Sequence, residues 1–530
     1  MQHRRSNNTR SFLAAVALVV MTAFLFLALA PTEAAPAAEE AATAEWEVVA
    51  MELANPRGLI FGPDGALYVA EGGAGGDGVC IPDPEGGNRC FGETGAITKV
   101  TFDADMNPTD QEQVITGIGS IAHEDRGSVT AGPTDVAFQG DDLYFTTGFG
   151  GDPADLLPAG PLGADGAHFA KIMAAGPGDS FSAWSDMGAF ESAENPDEDL
   201  PDSNPFDLLA LPSEVRAPTA DAFLAIDAGG NTLLAVSETG DLSVVAVWAE
   251  TLVEFPPGTG SMMPMDPVPT SVAIGPDGAY YVTQLTGFPF PVGGASVWRV
   301  EPGGDPEKYA EGFTNILDLA FAADDSLYVL EMFTNSLLSN DPTGAIIRID
   351  ADGGRTLVAR EGLVTPTAMT IGPDHALYVS NFSLVPEGGQ IVRIPTKLSE
   401  AEHFAAFMSG AEENPPVDTD ATGIALFHLA DDGTLSWDIS VSDIEDITAA
   451  HIHLGAVGVN GPPVITLYDG TGDFDPDNPI SGSAVLTPEQ IDTLLAGDYY
   501  VNVHTSTNPG GEIRGQIVVL QRLHLPLVVR

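Results

Sequence analysis

Apolar and polar positions between residues 45 and 397 fall into one recurring pattern. An apolar run begins near a proline, a Gly/Asp cluster follows, and a second apolar run is built on Leu-Tyr-Val or its equivalent. Five copies are clear: Pro56 to Glu71, Pro133 to Thr147, Pro269 to Gln284, Ile316 to Glu331 and Pro366 to Asn381. Ala222 to Glu238 reads as a weaker sixth. The Gly/Asp clusters supply the positive φ values that a tight reversal needs, so each copy predicts a β-hairpin. Several copies continue into a third strand, as at Ala295 to Val300, Ala345 to Ile349 and Gly389 to Ile394. A hairpin plus a further strand, recurring at about 50 residues in the regular part, predicts a six-bladed β-propeller over residues 46–397. Two early intervals are longer, and their excess reads as insertions near 72–95 and 150–215. A short helix is expected over Ala183 to Glu194, ended by Pro196.

Beyond residue 397 the pattern changes. Leu435, Trp437, Ile439 and Val441 alternate with polar residues, the mark of a strand with one buried face, and Gly423 to Leu429 precedes it across a turn. One helix is predicted at Pro488 to Leu495, where Thr487 and Gln490 make a capping box and Gly497 provides the stop. The remainder reads as strand and turn. The expectation for 402–522 is a small antiparallel, Greek-key-like β-sandwich followed by a short apolar tail at 523–530, so the whole chain is all-β in class.

Composition narrows the setting. The 59 Gly and 41 Pro suit short strands joined by turns. With 76 Asp and Glu against 19 Lys and Arg, the net charge of −57 leaves no basic surface to neutralise phosphates, which excludes nucleic-acid partners. A hydrophobic share of 44% is nonetheless that of a folded chain rather than an acidic tail. Arg4, Arg5 and Arg10 precede an uncharged apolar run from Phe12 to Ala30, the layout of an export signal over residues 1–34, with 35–45 a flexible leader. An uncleaved signal retained as an anchor is the alternative and the one expected membrane attachment. The expected location is periplasmic, cell-surface or secreted, where Cys80 and Cys90 are expected to form a disulfide.

Two groups of side chains carry candidate chemistry. The start of the first strand and the end of the second lie at the same end of a hairpin, so six blades gather Glu71, Glu238, Gln284, Glu331 and Asn381, with Asp135 and Asp318 from first strands, around one mouth. Carboxylates and amides converging on an axis suit Ca²⁺, a solvated polar ring being the plainer alternative. In the second module His451 and His453 share one strand face, and His504 lies on a later strand. If those strands are neighbours, three imidazoles converge as a first shell for Zn²⁺ or Cu²⁺; hydrogen bonding to loops is the alternative. Asp473, Asp475 and Asp477 alternate as in calcium loops. His123, His168 and His375 are scattered and no Gly-x-Ser-x-Gly elbow occurs, so no catalytic residue is assigned.

Asn55-Pro-Arg-Gly-Leu59, Asn195-Pro-Asp197, Ser203-Asn-Pro-Phe206, Asp227-Ala-Gly-Gly-Asn231, Val268-Pro-Thr-Ser271 and Leu285-Thr-Gly-Phe-Pro-Phe-Pro291 resemble the ScyD/ScyE family over about residues 46–395. That resemblance implies a propeller-like exported domain and carries no assigned reaction. Phe407-Met-Ser-Gly-Ala-Glu-Glu-Asn-Pro-Pro416, Ala450-His-Ile-His-Leu-Gly455, Asn460-Gly-Pro462, Asn502-Val-His-Thr505 and Gly511-Glu-Ile-Arg-Gly-Gln516 resemble the CHRD domain, named for chordin, which implies an extracellular β-domain. The expected function is an exported, non-catalytic binding or envelope-associated protein that engages an extracellular protein, polymer or small molecule with a divalent cation. The alternative is a metal-dependent propeller enzyme, a hydrolase, lactonase or oxidase, acting in the periplasm or outside the cell.

Overall fold

The computed structural model describes residues 46–83, 87–103, 106–212, 221–351, 353–396, 403–430, 433–470 and 480–519. The expected signal, leader, apolar tail and aspartate run at 471–479 lie outside them. Six antiparallel sheets follow one another along the chain, and their first strands contact each other in a closed ring. These innermost strands are Pro56–Phe61, Pro133–Gln139, Pro205–Ala210, Pro269–Ile274, Ile316–Phe321 and Ala368–Ile371, which number blades 1 to 6. Blade 6 is completed by the first strand of the described chain, Glu47–Leu53, which pairs with Gly389–Ile394. The chain is thus a six-bladed β-propeller followed by a second all-β module.

Blade 3 departs from the sequence expectation. Its innermost strand is Pro205–Ala210, which pairs with Asp221–Asp227 and sets Pro205 opposite Asp227. The hairpin Ala222 to Glu238 therefore joins the second and third strands, and its Gly229-Gly230 turn imitates the first turn of other blades. Glu238 follows the third strand, at the end of the blade away from the mouth, and Asp227 takes the mouth position. The stretch 150–215 is accordingly not one insertion: Lys171–Ala175 and Phe181–Asp186 are the outer strands of blade 2. The helix there is shorter than expected, Met187–Glu194, because residues 181–186 pair as an edge strand and Asp186 caps the Ala189 N–H at 2.9 Å.

Repeated contacts hold neighbouring blades together at the axis. The third residue of an innermost strand reaches across to the next blade. Asp135 accepts from the Leu208 N–H (2.8 Å), Asp207 from Val272 (2.6 Å) and Asp318 from Met369 (2.6 Å), while the Ser271 hydroxyl donates to Asp318 (2.7 Å). One residue earlier, the hydroxyls of Thr134, Thr270 and Thr367 donate to the first carbonyl of the following blade, on Pro205 (2.8 Å), Ile316 (3.1 Å) and Pro56 (2.9 Å). Blade 1 has Gly58 at the third position because a Cβ there would overlap the Asp135 carboxylate. Further out, second-strand tyrosines pack edge-on against a phenylalanine of the next innermost strand: Tyr68 on Phe138 (4.8 Å), Tyr281 on Phe321 (4.9 Å) and Tyr378 on Phe61 (4.9 Å). That contact gives the Leu-Tyr-Val repeat its physical meaning.

In blade 1 the Cys80–Cys90 disulfide links facing residues of paired strands. The second module is one antiparallel sheet coiled into a nearly closed barrel. Its order runs Pro463–Tyr468, Ile447–Leu454, Tyr499–Thr505, Ile513–Gln516, His403–Ser409, Thr422–Leu429, Thr434–Ser442, Ile480–Val485, and the outermost two approach each other. Its interior holds Phe404, Phe427, Trp437, Ile452 and Val501, closed at one end by Ile491 and Leu494 of the helix Pro488–Leu495. That helix begins with the expected capping box, Thr487 N–H to Gln490 Oε1 at 2.9 Å and Gln490 N–H to Thr487 Oγ1 at 3.4 Å.

Thr367→Val, at the seam between blades 6 and 1, leaves the buried Pro56 carbonyl without its donor. It is expected to cost about 1–3 kcal/mol of stability, read as a lower urea midpoint at unchanged m-value.

Candidate metal centre

The mouth of the propeller does not assemble the expected cation ring. Glu71 is consumed within its own blade: one oxygen accepts from the Ala54 N–H at 2.6 Å, the other from the Thr98 hydroxyl and from Gln113 Nε2 at 3.1 Å. Glu331 accepts from the Thr314 N–H (2.6 Å) and Asn381 from the Val364 N–H (2.7 Å), while Gln284 accepts from Trp298 Nε1 (3.1 Å). Asp227 repeats the arrangement on the Asn204 N–H at 2.6 Å. At four blades, therefore, the side chain ending the second strand pins the loop that enters the first. Among the described residues these carboxylates do not bring three ligand atoms within 4.8 Å of one another.

Asp135 and Asp318 lie one layer down, with Asp207, around a cavity of about 20 Å³ that has room for a water or two. Asp207 is not among the candidates named from the sequence, although Pro205-Phe206-Asp207 repeats the spacing of Pro133-Thr134-Asp135. Burial, then repulsion from Asp207, lifts Asp135 well above the usual carboxylate range, and burial also lifts Asp207. The two carboxyls face each other, and both shifts favour protonation within the pair. Asp318 is pushed to about 7 by burial and the Asp207 charge, and Glu331 to about 7 by burial. Asp135, Asp207 and Asp318 are interblade braces with raised pKa values, and each already accepts from a backbone amide of the next blade.

The second module does bring its candidates together. Ile447–Leu454 and Tyr499–Thr505 are antiparallel neighbours with His451 opposite Asn502 and Ala449 opposite His504. His451 and His453 therefore share a face, and His504 stands diagonally across. Ring centroids are 5.2 to 5.7 Å apart, and one nitrogen from each ring lies within 4.8 Å of the others. The loops fix which nitrogens are free. His453 Nδ1 faces the Gly461 carbonyl at 2.9 Å and His504 Nδ1 faces that of Pro509 at 3.2 Å, so each donates there and turns Nε2 inward. Those two Nε2 atoms, with His451 Nδ1, are buried and have no hydrogen-bond partner. Burial lowers all three pKa values and mutual repulsion adds to it for His451 and His504, so the rings are neutral at pH 7, the form that ligates a metal.

Support behind the rings is stiff. Tyr500 stacks on His453 (5.1 Å) and the Arg514 guanidinium stacks on Tyr500 (3.5 Å), anchored by Asn460 Oδ1 and the Val459 carbonyl at 3.0 Å each. Beside Asn502, Glu413 keeps a buried oxygen without a partner, and a Cβ on Gly511 would collide with both side chains. Glu413 is not marked by the sequence, since it lies in the segment Phe407 to Pro416 but at no metal-ligand spacing.

Comparison with known proteins agrees with this division. The CHRD domain family matches residues 404–517, so the module bearing the three histidines is a CHRD domain. No curated protein matches the chain. Among solved structures, a catalytically inactive virginiamycin B lyase from Staphylococcus aureus with quinupristin is similar at TM-score 0.33 and 14% identity, over 68% of this chain and 90% of that one. A protein of unknown function from Dyadobacter fermentans gives 0.38 and 15%, over 66% and 98%. A glucose dehydrogenase gives 0.35 and 13%, over 66% and 99%. Nothing about chemistry follows from likeness at this level.

The two modules are expected to respond oppositely to pH. Carboxyls with raised pKa bind protons in the folded propeller that the unfolded chain has already released, so propeller stability falls as pH rises from about 4 to about 7. Histidines with lowered pKa do the reverse in the metal-free CHRD domain, whose stability falls as pH drops below about 6.5. Hydrogen exchange resolved by module, at pH 5 and pH 8, checks both signs, and Asp318→Asn should flatten the propeller's dependence.

Proposed function

We propose that this is an exported binding protein whose CHRD domain carries a divalent transition cation, Zn²⁺ or Cu²⁺, on His451, His453 and His504. The observation that carries the reading is the set of three convergent imidazole nitrogens, buried, neutral and without partners. A satisfied core histidine leaves no such nitrogen, whereas a ligand set requires it. Three nitrogens leave a coordination position open, through which the cation engages a carboxylate, imidazole or thiolate of an extracellular or envelope partner. The propeller then serves as a rigid platform for that partner, whether protein, polymer or small molecule. Export is supported by the disulfide, by the CHRD domain and by the charge layout of residues 1–34. The resemblance of the propeller segments to the exported ScyD/ScyE family points the same way.

A second reading is favoured by one feature. Glu413 has a buried, unpartnered oxygen beside Asn502, which faces His451 across the strand pair, and a carboxylate on that side of a bound cation could take the proton of a metal-activated water. Under that reading the enzyme chemistry sits in the CHRD domain and not at the propeller mouth.

The test is metal content and affinity of the full chain. The wild type is expected to retain one Zn²⁺ or Cu²⁺ on these residues, and His453→Ala or His504→Ala to weaken binding by at least about 100-fold. Acidification should release the cation as protons compete for the nitrogens, below about pH 6.5. Equal metal content in wild type and His453→Ala removes the reading.

A further inference from the structure

A separate group of oxygens lies where the helix of blade 2 meets the mouth of blade 3. Glu191, on the inner face of Met187–Glu194, is 2% exposed and makes no side-chain hydrogen bond, leaving Oε1 buried without a partner. One turn on, Asn195 ends the helix in the left-handed conformation (φ 41°). It donates through Nδ2 to the Asp199 carbonyl at 2.7 Å, which leaves its Oδ1 buried and unpartnered. Asp202 leaves Oδ1 in the same condition. The Gly229-Gly230 pair explains how the carboxylates fit. A Cβ on Gly229 would stand 2.7 Å from Asp202 Oδ1, and one on Gly230 would stand 2.7 Å from Glu191 Oε2. Neither glycine has a positive φ, so they are required for close approach and not for a turn.

Among the described residues, no protein group fully neutralises this cluster. Asp227 and Asp197 also act on Glu191, which burial and these charges push to about 7; Asp202 rises to about 6, with Arg89 nearby lowering it only in part. Buried oxygens without donors are costly, and Glu191 and Asp202, set against adjacent glycines of one turn, call for a ligand that supplies positive charge, with Asn195 one helical turn beyond Glu191 offering a third unpartnered oxygen. Carboxylate and amide oxygens, without nitrogen or sulfur, select a hard cation. We infer that Glu191, Asn195 and Asp202 hold a Ca²⁺ ion that ties the blade 2 helix to the Gly229-Gly230 turn of blade 3. This site is independent of the histidine centre, which has the wrong donors for Ca²⁺. It also differs from the more exposed Asp199, Glu250 and Asp266 group nearby, whose convergence alone does not require an ion.

Trp248 offers a local reporter, since its backbone N–H bonds the Asn231 carbonyl at 3.0 Å at the end of the same glycine turn. The full chain, stripped with chelator, is titrated with Ca²⁺ by calorimetry up to about 1 mM, the range of extracellular calcium modules. In parallel, Tb³⁺ luminescence is excited through tryptophan. One Ca²⁺ per chain, a raised melting temperature, and Tb³⁺ emission displaced by Ca²⁺ and lost in Trp248→Phe are expected. Glu191→Gln and Asp202→Asn should weaken binding at least tenfold, and Asp199→Asn should not. If either isosteric variant fails to fold, Gly230→Ala, which fills the cradle and leaves every oxygen in place, supplies the comparison. Absence of Ca²⁺ binding by the wild type overturns the inference. So does undiminished affinity in Glu191→Gln or Gly230→Ala.

Discussion

The propeller depends on one recurring hydrogen bond, from a backbone N–H of an innermost strand to an aspartate on the preceding blade. Six sheets packed face to face through apolar side chains have no inherent register about the axis. Asp135, Asp207 and Asp318 supply it, because each carboxylate accepts from a fixed amide and an offset of one residue would leave both groups buried and unpaired. The threonines one position earlier repeat the lock through carbonyls. This bracing also accounts for the lack of a converging ligand set at the axis among the described residues: carboxylates committed to amides have few lone pairs left, and burial and mutual repulsion raise their pKa values. Mouth residues such as Glu331 and Asn381 are committed in the same way to the entering loops. Free ligand atoms occur where such bracing is not needed, in the CHRD barrel and beside the blade 2 helix.

Charge is distributed by the same economy. With 19 basic side chains in the whole sequence, four stand at equivalent places. Lys99, Arg299, Arg348 and Arg393, each cross-strand from the repeat tyrosine, pair with the turn aspartates Asp64, Asp277, Asp324 and Asp374 at 2.6 to 2.7 Å. The Asp324 and Asp374 pairs are largely buried, where an unpaired carboxylate would be expensive. Arg514 is used differently, as a wall behind Tyr500 and His453. Much of the remaining described negative charge faces solvent.

Much of this was legible in the chain, and what was not has identifiable causes. Turn chemistry revealed five hairpins because glycine and aspartate are required there, and strand periodicity placed His451 and His453 on one face. The neighbouring of their strand with that of His504 is a pairing across about fifty residues, which alternation cannot specify. Blade 3 was misread because its innermost strand is joined to the second through residues 211–220, without the short Gly/Asp turn, while Gly229-Gly230 supplies that signal one strand later. Glu238 was thereby put at the mouth in place of Asp227. Asp207 could have been found from the Pro-x-Asp triplet at its strand start. Glu191 had no such mark, since a glutamate in an acidic helix looks like solvated surface until the turn that covers it is known.

The strand Glu47–Leu53 is made among the first of the described residues, yet its partner Gly389–Ile394 comes more than three hundred residues later. During synthesis, blade 6 cannot close until nearly the whole propeller has emerged. Until then the early strand keeps an open edge, able to pair with another chain, and contacts this distant in sequence form slowly. That edge therefore stays unpaired for most of the time the chain is being made. The polar residues Glu47 and Glu52, exposed on the strand, are suited to guarding it against pairing with a second copy.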